Sequence, residues 1–347
     1  MTSLERVSLA LQHKEADHVP AYPLINSISR IYTGIDYPTW SQDVDLCVES
    51  ILKATDDIGV DVICTLQDLS VEAADFGQPV DYPKNDAAHP AKDQPMIKSE
   101  ADYLKLEPVN PRKTLRMGRQ IEICDKLVKA KGKTMPIVSF IYGPLGTMSM
   151  MRGASDLFMD CIESPDELHH ALEAVTQTLM EYCKAVIETG VHAIMFDTLF
   201  ASKTIMSKAM WSELEGPYMK RLADYIHSQG VMVMIHNCGD GIYFDAQIEA
   251  MQPEAISFLY PPDDCADFAE AKKKYGDVTT LIGAVEPSWL MFNSREAIIK
   301  ECEKEIDDMG KNGGYILATG CEYPSNLSAD NAKLMVEVAK TYGRYGK

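Results

Sequence analysis

The chain alternates between short apolar runs and longer segments in which apolar residues recur at helical spacing. The runs are six to eight residues long and almost continuously hydrophobic, which is typical of strands buried on both faces of a parallel sheet. The eight runs are His18–Pro23, Val60–Leu66, Met135–Tyr142, Ala193–Leu199, Val231–Cys238, Ala255–Tyr260, Thr279–Val285 and Gly314–Cys321.

The segments between these runs carry helix signals. Apolar residues three or four positions apart predict one buried face, and Ser or Gly often stands at the ends. The clearest predicted helices are Thr2–Gln12, Pro165–Thr189, Met206–Gly230 with a break at Gly216-Pro217, Ser294–Gly310 and Asp330–Tyr342. Eight strands separated by helices predict an α/β fold, a (β/α)8 TIM barrel whose first helix is an N-terminal extension.

One interval breaks this regular spacing. The stretch between Leu66 and Met135 is far longer than a single strand–helix connection needs, and part of it is rich in Pro, Asp and Lys. We therefore expect an insertion after strand two, over residues 78–130, at the mouth of the barrel. No linker-like change in composition divides the chain, so the prediction is a single domain over residues 1–347.

Composition narrows the classes of function. The 347 residues are 46% hydrophobic and 24% charged, as in ordinary globular proteins, and the net charge of −19 disfavours binding to nucleic acid. No apolar window of about 18 residues predicts a membrane span. The amino terminus lacks a signal-peptide pattern, and the nine Cys are scattered. We therefore expect a cytoplasmic protein with reduced thiols, which act, if at all, as metal ligands or nucleophiles.

The strand ends contain one group of side chains suited to a metal. In a barrel of this type the chemistry gathers at the carboxyl ends of the strands. His236 and Cys238 stand two positions apart, so an extended backbone directs both to the same side, and Cys321 ends the last run. One imidazole and two thiolates suit Zn²⁺ and leave a fourth position open. The alternative at this point is that both Cys are small core residues.

Other polar residues at strand ends are less specific. Asp197 and Glu286 follow strands four and seven, and we predict them as candidate catalytic residues in contact with substrate or metal, although Asp197 could equally cap a turn. Glu322 adjoins Cys321 and could support it. The candidate substrate-binding residues at further strand ends, which could also simply pack, are Tyr22, Asn26, Tyr142 and Tyr260.

Several motifs resemble one family. Leu4-Glu5-Arg6-Val7 followed by His18-Val19-Pro20 resembles the start of the uroporphyrinogen decarboxylase superfamily, as does Gly283-Ala284-Val285-Glu286-Pro287. His236-Asn237-Cys238-Gly239 with the distant Cys321 resembles the H-x-C…C zinc motif of its methyltransferase branch. That branch includes methylcobamide:coenzyme M methyltransferases and O-demethylase methyltransferases. The resemblance covers nearly the whole chain and implies a zinc site at these three residues.

The resemblance implies a zinc-dependent methyltransferase. It would move a methyl group between a small substrate, either a methyl ether such as a methoxyaromatic or a thiol, and the cobalt of a corrinoid (cobalamin). The chain lacks a D-x-H-x-x-G motif, so the corrinoid is expected on a separate corrinoid-binding protein. Few Lys or Arg stand at strand ends, which favours a neutral or aromatic methyl donor over an anionic thiol.

Two alternatives remain from the sequence. One is a uroporphyrinogen-type decarboxylase, and the other is a metal-free binding barrel. Decarboxylases of the superfamily carry a Q-A-G-R signature after strand one, which this chain lacks, and Arg30 is the only guanidinium nearby. A strongly acidic chain is also poorly suited to a porphyrinogen with many carboxylates.

Overall fold

A computed structural model describes residues 1–346 as a (β/α)8 TIM barrel. The strands are β1 (Ala21–Tyr22), β2 (Ile63–Cys64), β3 (Val80–Asp81), β4 (His89–Pro90), β5 (Ile137–Tyr142), β6 (Ala193–Asp197), β7 (Met232–Asn237), β8 (Ala255–Phe258), β9 (Thr280–Val285) and β10 (Tyr315–Thr319). Eight of them form one parallel sheet in the order β1-β10-β9-β8-β7-β6-β5-β2, while β3 and β4 form a separate antiparallel pair. The Asp61 N–H donates to the Ala21 carbonyl (2.8 Å) and links the first and second strand segments, which closes the ring.

Helices surround this ring. The helices are α1 (Ser3–Leu11), α2 (Tyr37–Gln42), α3 (Val44–Ile58), α4 (Val71–Phe76), α5 (Glu100–Tyr103), α6 (Arg116–Lys131), α7 (Pro144–Arg152), α8 (Ala154–Glu163), α9 (Pro165–Ile187), α10 (Lys208–Leu214), α11 (Gly216–Ser228), α12 (Phe244–Met251), α13 (Phe268–Tyr275), α14 (Pro287–Leu290), α15 (Arg295–Met309) and α16 (Asp330–Thr341). A 3-10 helix follows β1 over Ser27–Tyr32.

Local sequence explains where helices begin and end. Thr2 and Glu5 form a reciprocal capping box at the start of α1. The side chain of Asp43 accepts a hydrogen bond from the Leu46 N–H and begins α3, which ends at Gly59 in a left-handed conformation (φ 80°). These caps satisfy backbone groups that the helices themselves leave without partners.

The predicted pattern of strands and helices is confirmed. Each of the eight apolar runs contains one barrel strand, and each predicted helix matches an observed one within a few residues. The segment Met206–Gly230 forms two helices, α10 and α11, which meet at the Gly216-Pro217 break. The structure adds α7 and α8 after β5, two helices that are not among those predicted from the sequence.

The barrel strands are apolar on both faces because two layers of side chains pack against them. Val138, Phe140 and Met234 belong to the layer inside the barrel. Ile141 and Ile194 belong to the layer between the strands and the helices. A strand covered on both faces has no solvated side, which accounts for the nearly continuous hydrophobic runs.

The segment after β2 contains less inserted chain than the sequence suggests. Helix α6 packs against α3 and β5, as a barrel helix does, and it buries Met117, Ile123 and Leu127. Residues 116–130 of the expected 78–130 insertion are therefore part of the barrel. The extra chain is confined to residues 78–115, which contain the β3–β4 pair and the short helix α5.

Across residues 1–346, no helix combines the length and the apolar character that crossing a membrane requires.

Candidate metal centre

Three side chains with metal-binding atoms meet at the mouth of the barrel. His236 lies in β7, Cys238 follows that strand, and Cys321 follows β10 by two residues. Their nitrogen and sulfur atoms all lie within 4.8 Å of one another. His236 is buried, whereas both thiols are partly exposed. The structure thus places together the three residues that the sequence predicts as zinc ligands.

The backbone between the first two ligands is fixed by Asn237. Its amide nitrogen Nδ2 donates to the carbonyl oxygens of Thr198 (2.6 Å) and Ala201 (3.3 Å), while its Oδ1 accepts from the Gly239 N–H (2.9 Å). Gly239 is required because a Cβ there would lie 2.4 Å from the Ser202 hydroxyl oxygen. Asn237 therefore fastens the strand end to the neighbouring loop on the side away from the ligands.

Ser257 sets the orientation of the His236 ring. The registry of β7 and β8 pairs His236 with Ser257, and the Ser257 hydroxyl lies 3.0 Å from the Nδ1 of His236. This contact leaves Nε2 free for a metal, and the ring also lies beside Phe140 (5.8 Å between centroids). A partner on one ring nitrogen is the usual way in which proteins fix a histidine ligand.

The two thiols and the imidazole interact strongly. Hydrogen bonding from the Cys238 thiol, assisted by His236, lowers the pKa of Cys321 against the opposing effect of burial. The same hydrogen bond, together with burial, raises the pKa of Cys238. One of the two cysteine side chains is therefore readily deprotonated. A cation between the two sulfur atoms would favour deprotonation of the other cysteine as well.

This donor set fits Zn²⁺. One imidazole and two thiolates are ligands that zinc prefers, and three protein ligands leave a position for substrate, as in catalytic zinc sites. Two thiolates also balance the charge of the ion. Cys265, another partly exposed cysteine, bonds instead to the Asp264 carboxylate and lies outside the cluster.

Two carboxyl groups flank the metal ligands. Asp197 ends β6, and its Oδ1 accepts the Leu199 N–H (3.0 Å). Burial raises the pKa of Asp197 to about 6, with His236 opposing this shift and Cys321 adding to it. Glu322 accepts both the N–H and the hydroxyl of Ser27 at Oε1 (2.9 and 2.6 Å). Burial raises the pKa of Glu322 to about 7 despite these hydrogen bonds, and the charge of Cys321 contributes.

The other predicted site residues occupy different positions around the mouth. Tyr142 is buried, and after burial the charge of Asp197 is the largest cause that raises its pKa. Tyr22 and Asn26 are also buried, and within residues 1–346 the Asn26 amide nitrogen has no hydrogen-bond partner. Tyr260 is exposed at the end of β8.

Glu286 is not brought into the cluster. Its side chain is exposed and accepts a hydrogen bond from the Ser288 hydroxyl at the start of α14. A carboxylate that follows a strand can serve the next helix instead of the barrel centre, and the sequence does not distinguish these outcomes.

Sequence reasoning missed two features of the site. Ser257 stands as a lone polar residue in the run Ala255–Phe258, and that isolation is the signal that could have found it. Arg116 and Asp68 form a buried ion pair (2.5 Å), and the guanidinium also donates to the Tyr82 hydroxyl (2.7 Å). This pair joins α6 to the end of β2, and nothing in the local sequence indicates it.

Comparisons with known proteins agree with this architecture. A family model described as uroporphyrinogen decarboxylase (URO-D) matches residues 2–342. The methylcobamide:CoM methyltransferase MtbA of Methanosarcina acetivorans is 23% identical, over 98% of each chain. The uroporphyrinogen decarboxylase of Azoarcus sp. is also 23% identical, over 65% of this chain and 63% of its own. A solved methyltransferase from Methanosarcina mazei has the same fold (TM-score 0.84, 19% identity, 99% of both chains).

Proposed function

The chain belongs to the uroporphyrinogen decarboxylase (URO-D) family, and from that premise we propose that it is a zinc-dependent methyltransferase. It moves a methyl group between a small substrate and the cobalt of a corrinoid carried by a separate protein. The substrate is a methyl ether, such as a methoxyaromatic compound, or a thiol. The names of the relatives that match the whole chain support the methyl-transfer reaction and the corrinoid.

The observation that carries this proposal is the convergence of His236, Cys238 and Cys321 within 4.8 Å. These residues would hold Zn²⁺. When bound, zinc supplies Lewis-acid chemistry, which lowers the pKa of a thiol or polarises an ether oxygen. A decarboxylase has no evident use for two thiols and an imidazole at this position.

The surrounding residues have distinct roles in this proposal. Ser257 holds the His236 ring in the orientation that directs Nε2 at the ion. Asp197 contacts the reacting end of the substrate, because its carboxyl group lies beside the ligands and is itself buried. The substrate lies among Tyr22, Asn26 and Tyr142, with Tyr260 at the open side. Glu286 has no part in the chemistry, because its exposed carboxylate bonds to Ser288.

Metal content and methyl transfer test the proposal together. Purified protein should contain one zinc per chain, and Cys238→Ala and Cys321→Ala should each lose both zinc and methyl transfer. Transfer is followed by the corrinoid absorbance change, with methylcobalamin and thiols in one direction and cobalt(I) corrinoid and methyl ethers in the other. Cys265→Ala is the matched control, because it removes another partly exposed thiol, one outside the cluster, and should retain both properties.

Two results would contradict this function. One is zinc-free protein that transfers methyl groups at the full rate. The other is release of carbon dioxide from a porphyrinogen, unaffected in Cys238→Ala, which would favour the decarboxylase alternative.

A further inference from the structure

We propose that Glu72, together with one water molecule buried between the ends of β2 and β5, positions the ring of Tyr142 beside the metal ligands. Glu72 is a positioning residue, because it acts through the backbone of β5 and does not contact the substrate. The inference rests on the proposed function in one respect only, which is the contact between Tyr142 and the substrate.

The register of the sheet places Tyr142 in one row with the metal centre. Tyr142 of β5 pairs with Asp197 of β6, and Asp197 pairs with His236 of β7. Neighbouring strands lie about 4.8 Å apart, so Tyr142 stands about 10 Å from His236 across the sheet. The ring also packs against Gly146 in α7, where a Cβ would overlap it. The position of the end of β5 therefore decides where the ring lies relative to the metal ligands.

The strands β2 and β5 separate before they reach the mouth. Their residue pairing ends at Cys64 and Val138, whereas β5 continues to Tyr142. The Tyr142 N–H, which has no strand to bond to on this side, donates instead to Oε1 of Glu72 in α4 (3.2 Å). The buried carboxyl group thus takes the place of a carbonyl oxygen of the missing strand and satisfies the last N–H of β5.

A small polar cavity occupies the space between the separating strands. The centre of a water molecule can occupy about 10 Å³ of it, which is room for one molecule. Side chains from α4, α6 and α9 close the cavity on the side away from the barrel interior. The lining residues that matter here are Thr65, Glu72, Gln120, Phe140, Tyr142 and Tyr182.

Two buried polar atoms at this cavity have no partner in the protein. The amide nitrogen of Gln120 donates to the carbonyl and hydroxyl oxygens of Thr65, but within residues 1–346 its Oε1 accepts no hydrogen bond. Tyr182 is fully buried, and its hydroxyl has no partner in the same part of the chain. Burial and then the charge of Glu72 raise the pKa of Tyr182, so the carboxyl group lies near that hydroxyl. Buried polar atoms are rarely left unsatisfied, so we expect a ligand that completes both.

The chemistry of these groups selects water over a metal ion. The Tyr182 O–H needs an acceptor, which a metal ion cannot supply, and Gln120 Oε1 needs a donor. A water molecule offers both, and its remaining hydrogen-bonding capacity suits the carboxyl group of Glu72 whether that group is ionised or protonated. Burial raises the pKa of Glu72 to about 8, against the effect of the N–H groups of Glu72 and Tyr142. Near neutral pH the carboxyl group therefore needs no counter-ion in the cavity.

A high-resolution crystal structure tests the water molecule. It should show one water within hydrogen-bond distance of the Tyr182 hydroxyl, Gln120 Oε1 and the Glu72 carboxyl group. The crystal structure of Tyr182→Phe, which removes only the donor, should lack that water. An empty cavity in wild-type protein, or a metal ion in its place, would show that no water takes part.

Fluorine NMR tests the position of the Tyr142 ring. Protein labelled with 3-fluorotyrosine gives one signal for each of its 16 Tyr, and Tyr142→Phe identifies the signal of Tyr142. Glu72→Met removes the acceptor of the Tyr142 N–H and should shift that signal. Glu72→Gln keeps an acceptor oxygen and should retain the wild-type signal. Glu305→Met is the matched control, because Glu305 is also buried and accepts a strand N–H, that of Ala284 in β9 (2.6 Å); it should leave the Tyr142 signal in place.

The affinities for the metal and for an aromatic thiol separate positioning from general damage. Zinc affinity of Glu72→Met, measured by chelator competition, should stay within about twofold of the wild type, because β5 carries none of the three metal ligands. Binding of benzyl mercaptan to Co²⁺-substituted Glu72→Met, followed by visible absorption, should weaken at least about fivefold. Glu72→Gln should recover most of this affinity, which a role of the negative charge alone would not allow.

The outcomes separate this inference from the proposed function. If the Tyr142 signal stays unchanged in both Glu72→Met and Tyr182→Phe, or if Glu305→Met moves it as much, the positioning role is overturned and the methyltransferase proposal stands. If the protein binds no metal and transfers no methyl group, the proposed function itself fails. The crystal structure and the fluorine signals then still decide whether Glu72 and the water hold Tyr142.

Discussion

The Ser257→Ala substitution tests whether the His236 ring is fixed by its neighbour in β8. Ser257 is fully buried, and its hydroxyl lies 3.0 Å from Nδ1. Without the hydroxyl, Nδ1 would remain buried with no partner, since bulk water has no access to that position. An unsatisfied buried group costs about 1–3 kcal/mol, and the ring would also be free to turn away from the metal. Zinc affinity should therefore fall between about 5- and 100-fold.

Competition with a chromophoric chelator measures this loss directly. The zinc dissociation constants of wild-type protein and Ser257→Ala are compared under the same conditions. Ser139→Ala is the matched control: Ser139 is equally buried, in β5, but the Nδ1 of His236 contacts the Ser257 hydroxyl and not that of Ser139. The control should bind zinc as wild-type protein does, and the thermal stability of both metal-free variants reports any general damage.

Two results would refute the reasoning. One is a zinc affinity of Ser257→Ala within about twofold of the wild type, which would mean that the hydrogen bond is too weak to orient the ring. Alternatively, Ser139→Ala could lose as much affinity, in which case the effect belongs to the barrel interior in general and not to the contact with His236.

Three further predictions concern the stability of the fold and the loop that follows β7. Arg6→Met removes the ion-pair partner of buried Asp61 (2.7 Å). Urea denaturation should show that the unfolding free energy falls by about 3–5 kcal/mol. A fall of less than about 1 kcal/mol would contradict this prediction. The hydrogen bond from Arg6 lowers the pKa of Asp17 to about 2, so the stability that Asp17 contributes is complete above its unfolded pKa of about 4 and disappears as the pH falls through 2. The difference in stability between wild-type protein and Asp17→Asn should shrink over that interval, and a constant difference would refute this linkage. Gly239→Ala places a Cβ 2.4 Å from the Ser202 hydroxyl oxygen and should weaken zinc binding about 5- to 150-fold. Zinc affinity should recover in part in the double variant Gly239→Ala/Ser202→Gly. If it does not recover, the strain does not come from the contact with Ser202.

The features that could be predicted from sequence are local ones. A strand buried on both faces leaves an unbroken apolar run, and a capped helix leaves a signal at each end, so the barrel follows from short segments. His236 and Cys238 share a direction because they are two positions apart on one extended segment. Cys321 joins them because the fold gathers all strand ends at one mouth.

The features that could not be predicted depend on contacts between distant segments. Ser257 reaches His236 only through the registry of β7 and β8, which the sequence of either strand leaves open. The sequence also does not show that Asp197 is buried and Glu286 exposed. Both residues follow apolar strands, and only the packing around each one decides whether it is buried. The sequence also does not show where the insertion ends. The many charged residues on the outer face of α6 make the apolar pattern of its buried face hard to recognise.

Close backbone contacts hold both thiol-bearing loops in place. A Cβ at Gly239 would meet Ser202, and a Cβ at Gly320 would lie 2.5 Å from the Leu259 side chain. Each cysteine is therefore adjacent to a glycine that packs where no side chain fits, and the loops have little freedom to move apart. His236 lies in β7, which pairs with β6 and β8 on its two sides, so the barrel itself positions the imidazole as the loops position the thiols. We therefore expect that a metal bound there would add little ordering cost, in contrast to small zinc domains that fold around their ion.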